Sequence, residues 1–289
     1  MADEIPAAEG VEHRFVEANG IRIHVAEAGS PDARPVLLLH GWPQHWYMWR
    51  RVMATLRGEF RLLAPDLRGF GWSEAPGHGY DGETFAADQA ALLDALGIER
   101  AHVVGHDWGG WVAFLLGILH ASRVDRMVVC NAPHPWPRLS PSIAIEAWRS
   151  WYTWIIAAPV LGRWVLRQKW ISSRYLGTGN VHAPFTDQEI DSYAESLQDP
   201  ARAQAVVELY RYYQRALWEG VRGRWRQRRL AAPTLVLFGE RDISLTPKLL
   251  PGYEPYADDM RVELVSDSGH FVVDEKPELV IGRTREWLA

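Results

Sequence analysis

The chain has a single cysteine, Cys130, in 289 residues, so it can form neither an internal disulfide nor a thiolate metal cluster. That usage fits a reducing compartment, and the cytoplasm is the expected location. No apolar run approaches the ~20 residues of a membrane helix. The acidic N-terminal stretch from Met1 to Gly10 has no apolar segment behind a basic start and does not read as a signal peptide. An excess of positive charge is also missing. Lys plus Arg is 31 and Asp plus Glu is 36, and the net charge of −5 gives no electrostatic footprint for nucleic acid. The 24 Gly and 18 Pro follow no period, which excludes collagen-like and low-complexity architectures.

Apolar residues, at 47%, with 23% charged residues, make up the composition of a globular protein with a full core, of one or two domains by length. The abundant residue is tryptophan, with 15 copies, many of them between Trp136 and Trp225. Indoles are large, rigid surfaces with one polar handle, so this cluster suggests a lined apolar cavity or a closely packed lid.

Residues 13–27 alternate as two strands joined at Asn19-Gly20, a hairpin signal. Short apolar strands follow at 35–39, 61–65, 101–104 and 126–130, and helical spacing occupies 84–96 and 109–120. Strand and helix in alternation predict an α/β fold, a mostly parallel twisted sheet with helices on both faces. From Pro133 the texture changes. Residues 135–229 show no strand pattern and are rich in Trp, Tyr and Arg at helical spacing. Strands resume at 233–238 and 261–265, and a closing helix spans 277–288. The reading is therefore a core over 1–134, an inserted helical cap over 135–229, and a second part of the core over 230–289. The charge run from Arg222 to Arg229 reads as a solvated hinge between cap and core.

The stretch Val103-Val-Gly-His-Asp107-Trp-Gly-Gly110 carries the chemistry. A buried strand running through small residues directly into a helix is the context of a nucleophile elbow. Where G-x-S-x-G presents a serine, Gly105-His-Asp-Trp-Gly109 presents Asp107. A carboxylate is ionised at neutral pH and attacks without a base, but its product is an ester of the enzyme itself. That suits displacement at saturated carbon, as in opening an epoxide or expelling a halide. The plainer alternative is that Asp107 caps the following helix.

Hydrolysing such an ester needs an activated water. His270, in Ser266-Asp-Ser-Gly-His270, lies beyond the last predicted strand and is the candidate base. Phe238-Gly-Glu-Arg-Asp242 offers its orienting acid, with Asp242 preferred over Glu240. The backbone N–H groups of Trp108 and Trp42 are the candidate oxyanion donors. Trp42-Pro43, in the tight turn His40-Gly-Trp-Pro-Gln44, is a candidate cis bond.

His40-Gly-Trp-Pro43, Asp66-Leu-Arg-Gly-Phe-Gly71, Gly105-His-Asp-Trp-Gly-Gly110 and Asp267-Ser-Gly-His270 together resemble the α/β-hydrolase superfamily, along the whole chain. An aspartate at the elbow is similar to the epoxide hydrolases and haloalkane dehalogenases of that superfamily. The resemblance to epoxide hydrolases implies two cap tyrosines that protonate the leaving alkoxide. Tyr152, seven positions before Pro159, and Tyr210, in Glu208-Leu-Tyr-Arg211, match those segments. Tyr175, Tyr193, Tyr212 and Tyr213 also fall in the cap and by default pack. Trp108, Trp42 and Trp154 are expected to line the substrate site.

The expected activity is hydrolysis of a small apolar epoxide to a vicinal diol with water as the only partner. No metal or organic cofactor is implied, and the expected state is a monomer or homodimer. The dehalogenase alternative needs two N–H donors for a halide, one of them from Trp108. A fluoroacetate-type enzyme would want arginines close after the nucleophile, where Gly109, Gly110 and Trp111 stand. A third alternative is a non-catalytic protein that captures a small apolar ligand.

Overall fold

The computed structural model describes residues 4–138, 150–182 and 185–289. Its centre is an eight-stranded sheet of order β1-β2-β4-β3-β5-β6-β7-β8. The strands are β1 (Glu12–Ala18), β2 (Ile21–Ala28), β3 (Arg34–Leu39), β4 (Phe60–Pro65), β5 (Ala101–His106), β6 (Val124–Cys130), β7 (Thr234–Gly239) and β8 (Met260–Val265). Pairing is antiparallel from β1 to β2 and from β2 to β4, and parallel across the rest. Asn19 and Gly20, at φ 47° and 74°, make the expected two-residue turn.

β5 and β7 are buried along their whole length, as parallel strands covered on both faces must be. Successive side chains divide the core into two layers. Leu37, Leu39 and Val103 pack on one side with α2 (Gly82–Ala95) and α3 (Trp108–Leu119). Val36, Leu38 and Val104 pack on the other with α1 (Arg50–Leu56) and the C-terminal helix Pro277–Leu288. Residues 46–56, to which the sequence pattern assigned no element, form a short 3-10 turn and then α1. Trp46, Trp49, Val52, Met53 and Leu56 are buried there at three- and four-residue spacing, a helical stripe facing the sheet.

Between β6 and β7 the described residues form helices and no strand. They are α4 (Trp151–Ala157), α5 (Leu161–Leu166), α6 (Lys169–Thr178), α7 (Asp187–Ser196) and α8 (Pro200–Val221). Asp199 caps α8 with Pro200 in its first turn, and Thr186 and Glu189 make a reciprocal capping box on α7. This layer is bolted to the core by Arg202, which donates to Ser73 O at 3.0 Å, by the Arg50–Glu189 ion pair, and by His45 Nε2 with Ser192 Oγ at 3.1 Å. Two short helices, α9 (Val272–Glu275) and α10 (Pro277–Leu288), end the chain.

One expectation is extended here and one corrected. The 222–229 run is pinned as well as solvated. Trp225 is buried and its carbonyl accepts the Trp136 indole N–H at 2.8 Å, while Arg224 pairs with Glu83 and Glu219, and Arg229 with Asp258. Nor do the cap indoles mainly line a cavity. Trp151, Trp154, Trp164, Trp170 and Trp218 are 58–65% exposed on the outside of the helical layer.

Candidate active site

Asp107 sits between β5 and α3 with φ 51° and ψ −118°, a left-handed-side conformation that costs energy for a residue with a Cβ. The turn is possible because its neighbours are glycine. A Cβ on Gly105 would lie 2.4 Å from Gly109 O, and one on Gly109 would lie 2.1 Å from Leu39 O. The side chain of Asp107 makes no capping bond to α3, so the plain capping alternative does not describe it. Its Oδ2 instead accepts the Trp42 N–H at 2.9 Å, and the nearby Trp108 N–H also favours the charged carboxylate. Trp42–Pro43 is cis. A Cβ on Gly41 would meet Asp107 Oδ2 at 2.6 Å, so the loop needs glycine to come this close.

The loop after β8 carries His270 back to the same sheet edge. Its Nδ1 lies 2.9 Å from Asp242 Oδ2, and its Nε2 lies 3.8 Å from Asp107 Oδ1. Nε2 is buried and has no hydrogen-bond partner in the protein, so it is the free end of the pair. Asp242 is fixed in turn. Its Oδ1 accepts the Ser244 and Leu245 N–H groups at 2.7 and 2.9 Å, and its Oδ2 accepts Asn131 Nδ2 at 2.8 Å. Glu240, the alternative acid, is exposed at the surface.

Burial pushes the Asp107 carboxyl up to about 6, partly offset by His270 and the two N–H donors. Burial works against the His270 imidazolium, but Asp242 first and Asp107 next outweigh it and raise the group to about 9. Asp242 also loses solvation, yet His270 and the surrounding donors hold its carboxyl below the usual range.

The cap supplies the roof. Tyr152 on α4 is partly buried and Tyr210 on α8 is buried; both phenols lie in the field of Asp107, and Tyr210 also in that of Tyr152. Burial raises both above the ordinary tyrosine value, so both stay protonated. The Tyr210 ring meets Trp108 and Trp42 edge-on, with centroids 5.7 and 5.8 Å away. The Trp108 indole N–H is turned toward the Tyr210 phenol.

Trp42 and Trp108 thus stand beside Asp107 and Tyr210, and Trp154 does not. It is 62% exposed and stands two residues from Tyr152 on α4, where a step of two turns side chains to opposite faces. Sequence reasoning missed Asn131, Ser244 and His106 and left Tyr175 and Tyr213 as packing residues. Asn131, at the end of β6 with φ 44°, also donates to Gly269 O at 3.2 Å. His106 Nε2 pairs with His270 O at 2.8 Å. The signal for Asn131 was its place, immediately after a parallel strand at the edge that carries Asp107 and Asp242. Among the described residues no group of three or more His, Cys, Asp or Glu side chains is arranged to hold a metal ion.

A charged side chain on a strained strand–helix turn, at the carboxyl edge of a parallel sheet, is the way hydrolases of the α/β type present a reacting group. The profile described as alpha/beta hydrolase fold matches residues 34–277. The chain belongs to that family, in its epoxide hydrolase branch. It is 30% identical to the soluble epoxide hydrolase of Corynebacterium sp. (strain C12) over 291 residues, covering 96% of this chain and 98% of the relative. It is 26% identical to epoxide hydrolase 4 of Mus musculus over 279 residues, or 92% of this chain and 76% of that one. Among solved structures, Cfl2 of Burkholderia cenocepacia superposes with a TM-score of 0.87 at 29% identity, covering 99% of this chain and 98% of that protein.

Proposed function

We propose that the chain opens small apolar epoxides to vicinal diols through an ester on Asp107. The observation that carries this reading is the pair of cap phenols, the partly buried Tyr152 and the buried Tyr210, set across one site from an ionisable carboxylate at the elbow.

Asp107 Oδ2 is held by the Trp42 N–H, which leaves Oδ1 as the attacking oxygen. Oδ1 displaces the epoxide C–O bond, and the developing alkoxide takes a proton from Tyr152 or Tyr210. A phenol is a far better proton source than water at neutral pH. In the second half, His270 Nε2 takes a proton from water, which adds to the ester carbonyl. The oxyanion forms on Oδ2, already facing the N–H groups of Trp42 and Trp108. Collapse expels the product oxygen, which takes the proton from His270, and the second water proton, left on the Asp107 carboxyl, restores the phenol, so that the diol departs from a resting carboxylate, imidazole and tyrosine. Esterification also removes the Asp107 charge that helps hold the proton on His270, so the imidazole becomes a more available base at the step that needs one.

Halide release is the second reading, favoured by one observation: the Trp42 indole N–H is buried and has no partner in the protein. It needs a second donor, and the Trp108 indole stands edge-on to the Tyr210 ring at 5.7 Å. Purified protein should therefore be assayed against styrene oxide and a haloalkane panel, following diol and halide. Diol formation without halide release is the expected result. Halide release with no diol from any epoxide overturns the proposal.

A further inference from the structure

We infer that Ser244 and Tyr175 form a hydroxyl chain ending on Tyr152, which receives the charge left on that phenol as it gives its proton to the opening epoxide. The inference rests on the epoxide hydrolase reading and makes both residues positioning groups for Tyr152.

Ser244 is 8% exposed and follows Asp242 by two residues. Its two polar ends do different work. The backbone N–H donates to Asp242 Oδ1 at 2.7 Å, while Oγ lies 2.7 Å from the Tyr175 hydroxyl on α6. The same Oγ faces the Tyr152 phenol closely enough to increase its acidity against the effect of burial. A serine hydroxyl has one proton to donate and two lone pairs. Tyr175 is a partly buried phenol whose acidity is suppressed, first by loss of solvation, so it remains a donor. With the Tyr175 proton on Ser244 Oγ, the Ser244 proton is free for the Tyr152 oxygen.

Tyr175 is held for this role by aromatic contacts on several sides. Its ring centroid lies 5.0 Å from Trp42, 6.2 Å from Tyr152, 5.9 Å from Phe271 and 6.3 Å from His270. The other proton donor has the corresponding arrangement, since the Trp108 indole N–H stands behind Tyr210. In the step itself the Tyr152 O–H bond breaks, the alkoxide gains that proton, and the phenolate accepts a hydrogen bond from Ser244. The Tyr152 proton passes to the product, Ser244 and Tyr175 keep theirs, and a proton of the hydrolytic water later restores the Tyr152 phenol.

The test separates alkylation from hydrolysis by single-turnover kinetics with styrene oxide, in Ser244→Ala, Ser244→Thr and Tyr175→Phe. Ser244→Ala keeps the backbone bond to Asp242, so its hydrolysis rate should stay within about twofold. Its alkylation rate should fall about ten- to a hundredfold, the effect of one hydrogen bond to a developing charge. Ser244→Thr should restore alkylation, and Tyr175→Phe should give a smaller loss of the same kind. In a Tyr152→Phe background, Ser244→Ala should add nothing. An effect that persists in that background, or falls equally on hydrolysis, overturns the chain and assigns Ser244 to Asp242 or to packing. Should Ser244→Ala not fold, the comparison of Tyr175→Phe with and without Tyr152→Phe decides the same question. Wild-type turnover with unchanged variants defeats this inference alone, whereas no diol from the wild type defeats it together with the functional reading.

Discussion

The core and the cap place their functional groups by different means. In the core, Asp107, Asp242, His270 and the Trp42 N–H are set by backbone: strand ends, a strained elbow and hydrogen bonds of 2.7–2.9 Å. In the cap, Tyr152, Tyr175, Tyr210 and Tyr213 are set by rings packed on rings at 5.0–6.2 Å. Backbone placement leaves no substitute when a group is removed. Ring packing spreads one task over several side chains. Losses in the core should therefore be near-total, and losses in the cap graded.

Asp107→Ala breaks the comparison most severely. Turnover should fall by about 10⁴ or more, with no adduct on incubation with epoxide. His270→Ala should alkylate normally and stall, so that intact-protein mass spectrometry shows the chain plus one substrate mass. Steady multiple turnover by His270→Ala would remove it from the role of base. The same carboxylate sets the acid limb. Burial raises Asp107 to about 6, so its attacking form is lost as pH falls through that value. The alkylation rate should drop about tenfold per pH unit below it, and a flat profile down to pH 4 would count against Asp107 as nucleophile.

The cap pair sharpens the contrast. Tyr152→Phe or Tyr210→Phe alone should cost roughly ten- to a thousandfold in alkylation. The double variant should nearly silence ring opening and leave hydrolysis of a preformed ester intact. Equal loss of both half-reactions would mean that the phenols hold the site together rather than donate protons.

The same contrast explains what was legible beforehand. Asp107, Asp242 and His270 could be read because apolar strand patterns announce where a sheet's carboxyl edge lies, and these residues stand one, three and five positions past the ends of β5, β7 and β8. Helix α1 was not legible, since the aromatic turn Trp46–Trp49 separates it from the Gly-Trp-Pro-Gln segment and no side chain caps its start. Asn131 and Ser244 act on Asp242 across the fold, a relation that no local spacing encodes. For the cap, tyrosines could be nominated by segment, but which face of each short helix turns inward depends on packing against the core. That is where Trp154 was misplaced.

Asn131→Ala tests the core at a smaller scale. It removes one donor from Asp242 and leaves the two N–H bonds and His270 in place. Ester hydrolysis should slow about tenfold with alkylation little changed. Slower alkylation instead would place Asn131's influence on the elbow beside it.

The smallest effect is expected at Trp154→Ser. The side chain is 62% exposed on α4, and its neighbour Tyr152 faces the opposite side of the same helix. Surface substitutions of this kind usually change stability by no more than about 0.5 kcal/mol, and nothing in the contacts of Trp154 links it to Asp107. The value of kcat/KM for styrene oxide should stay within about twofold of the wild type, with a melting temperature shifted by a few degrees at most. A tenfold fall in kcat/KM at unchanged stability would mean that the outer face of the cap takes part in turnover, and the division between a backbone-set core and a packing-set cap would have to be redrawn through α4.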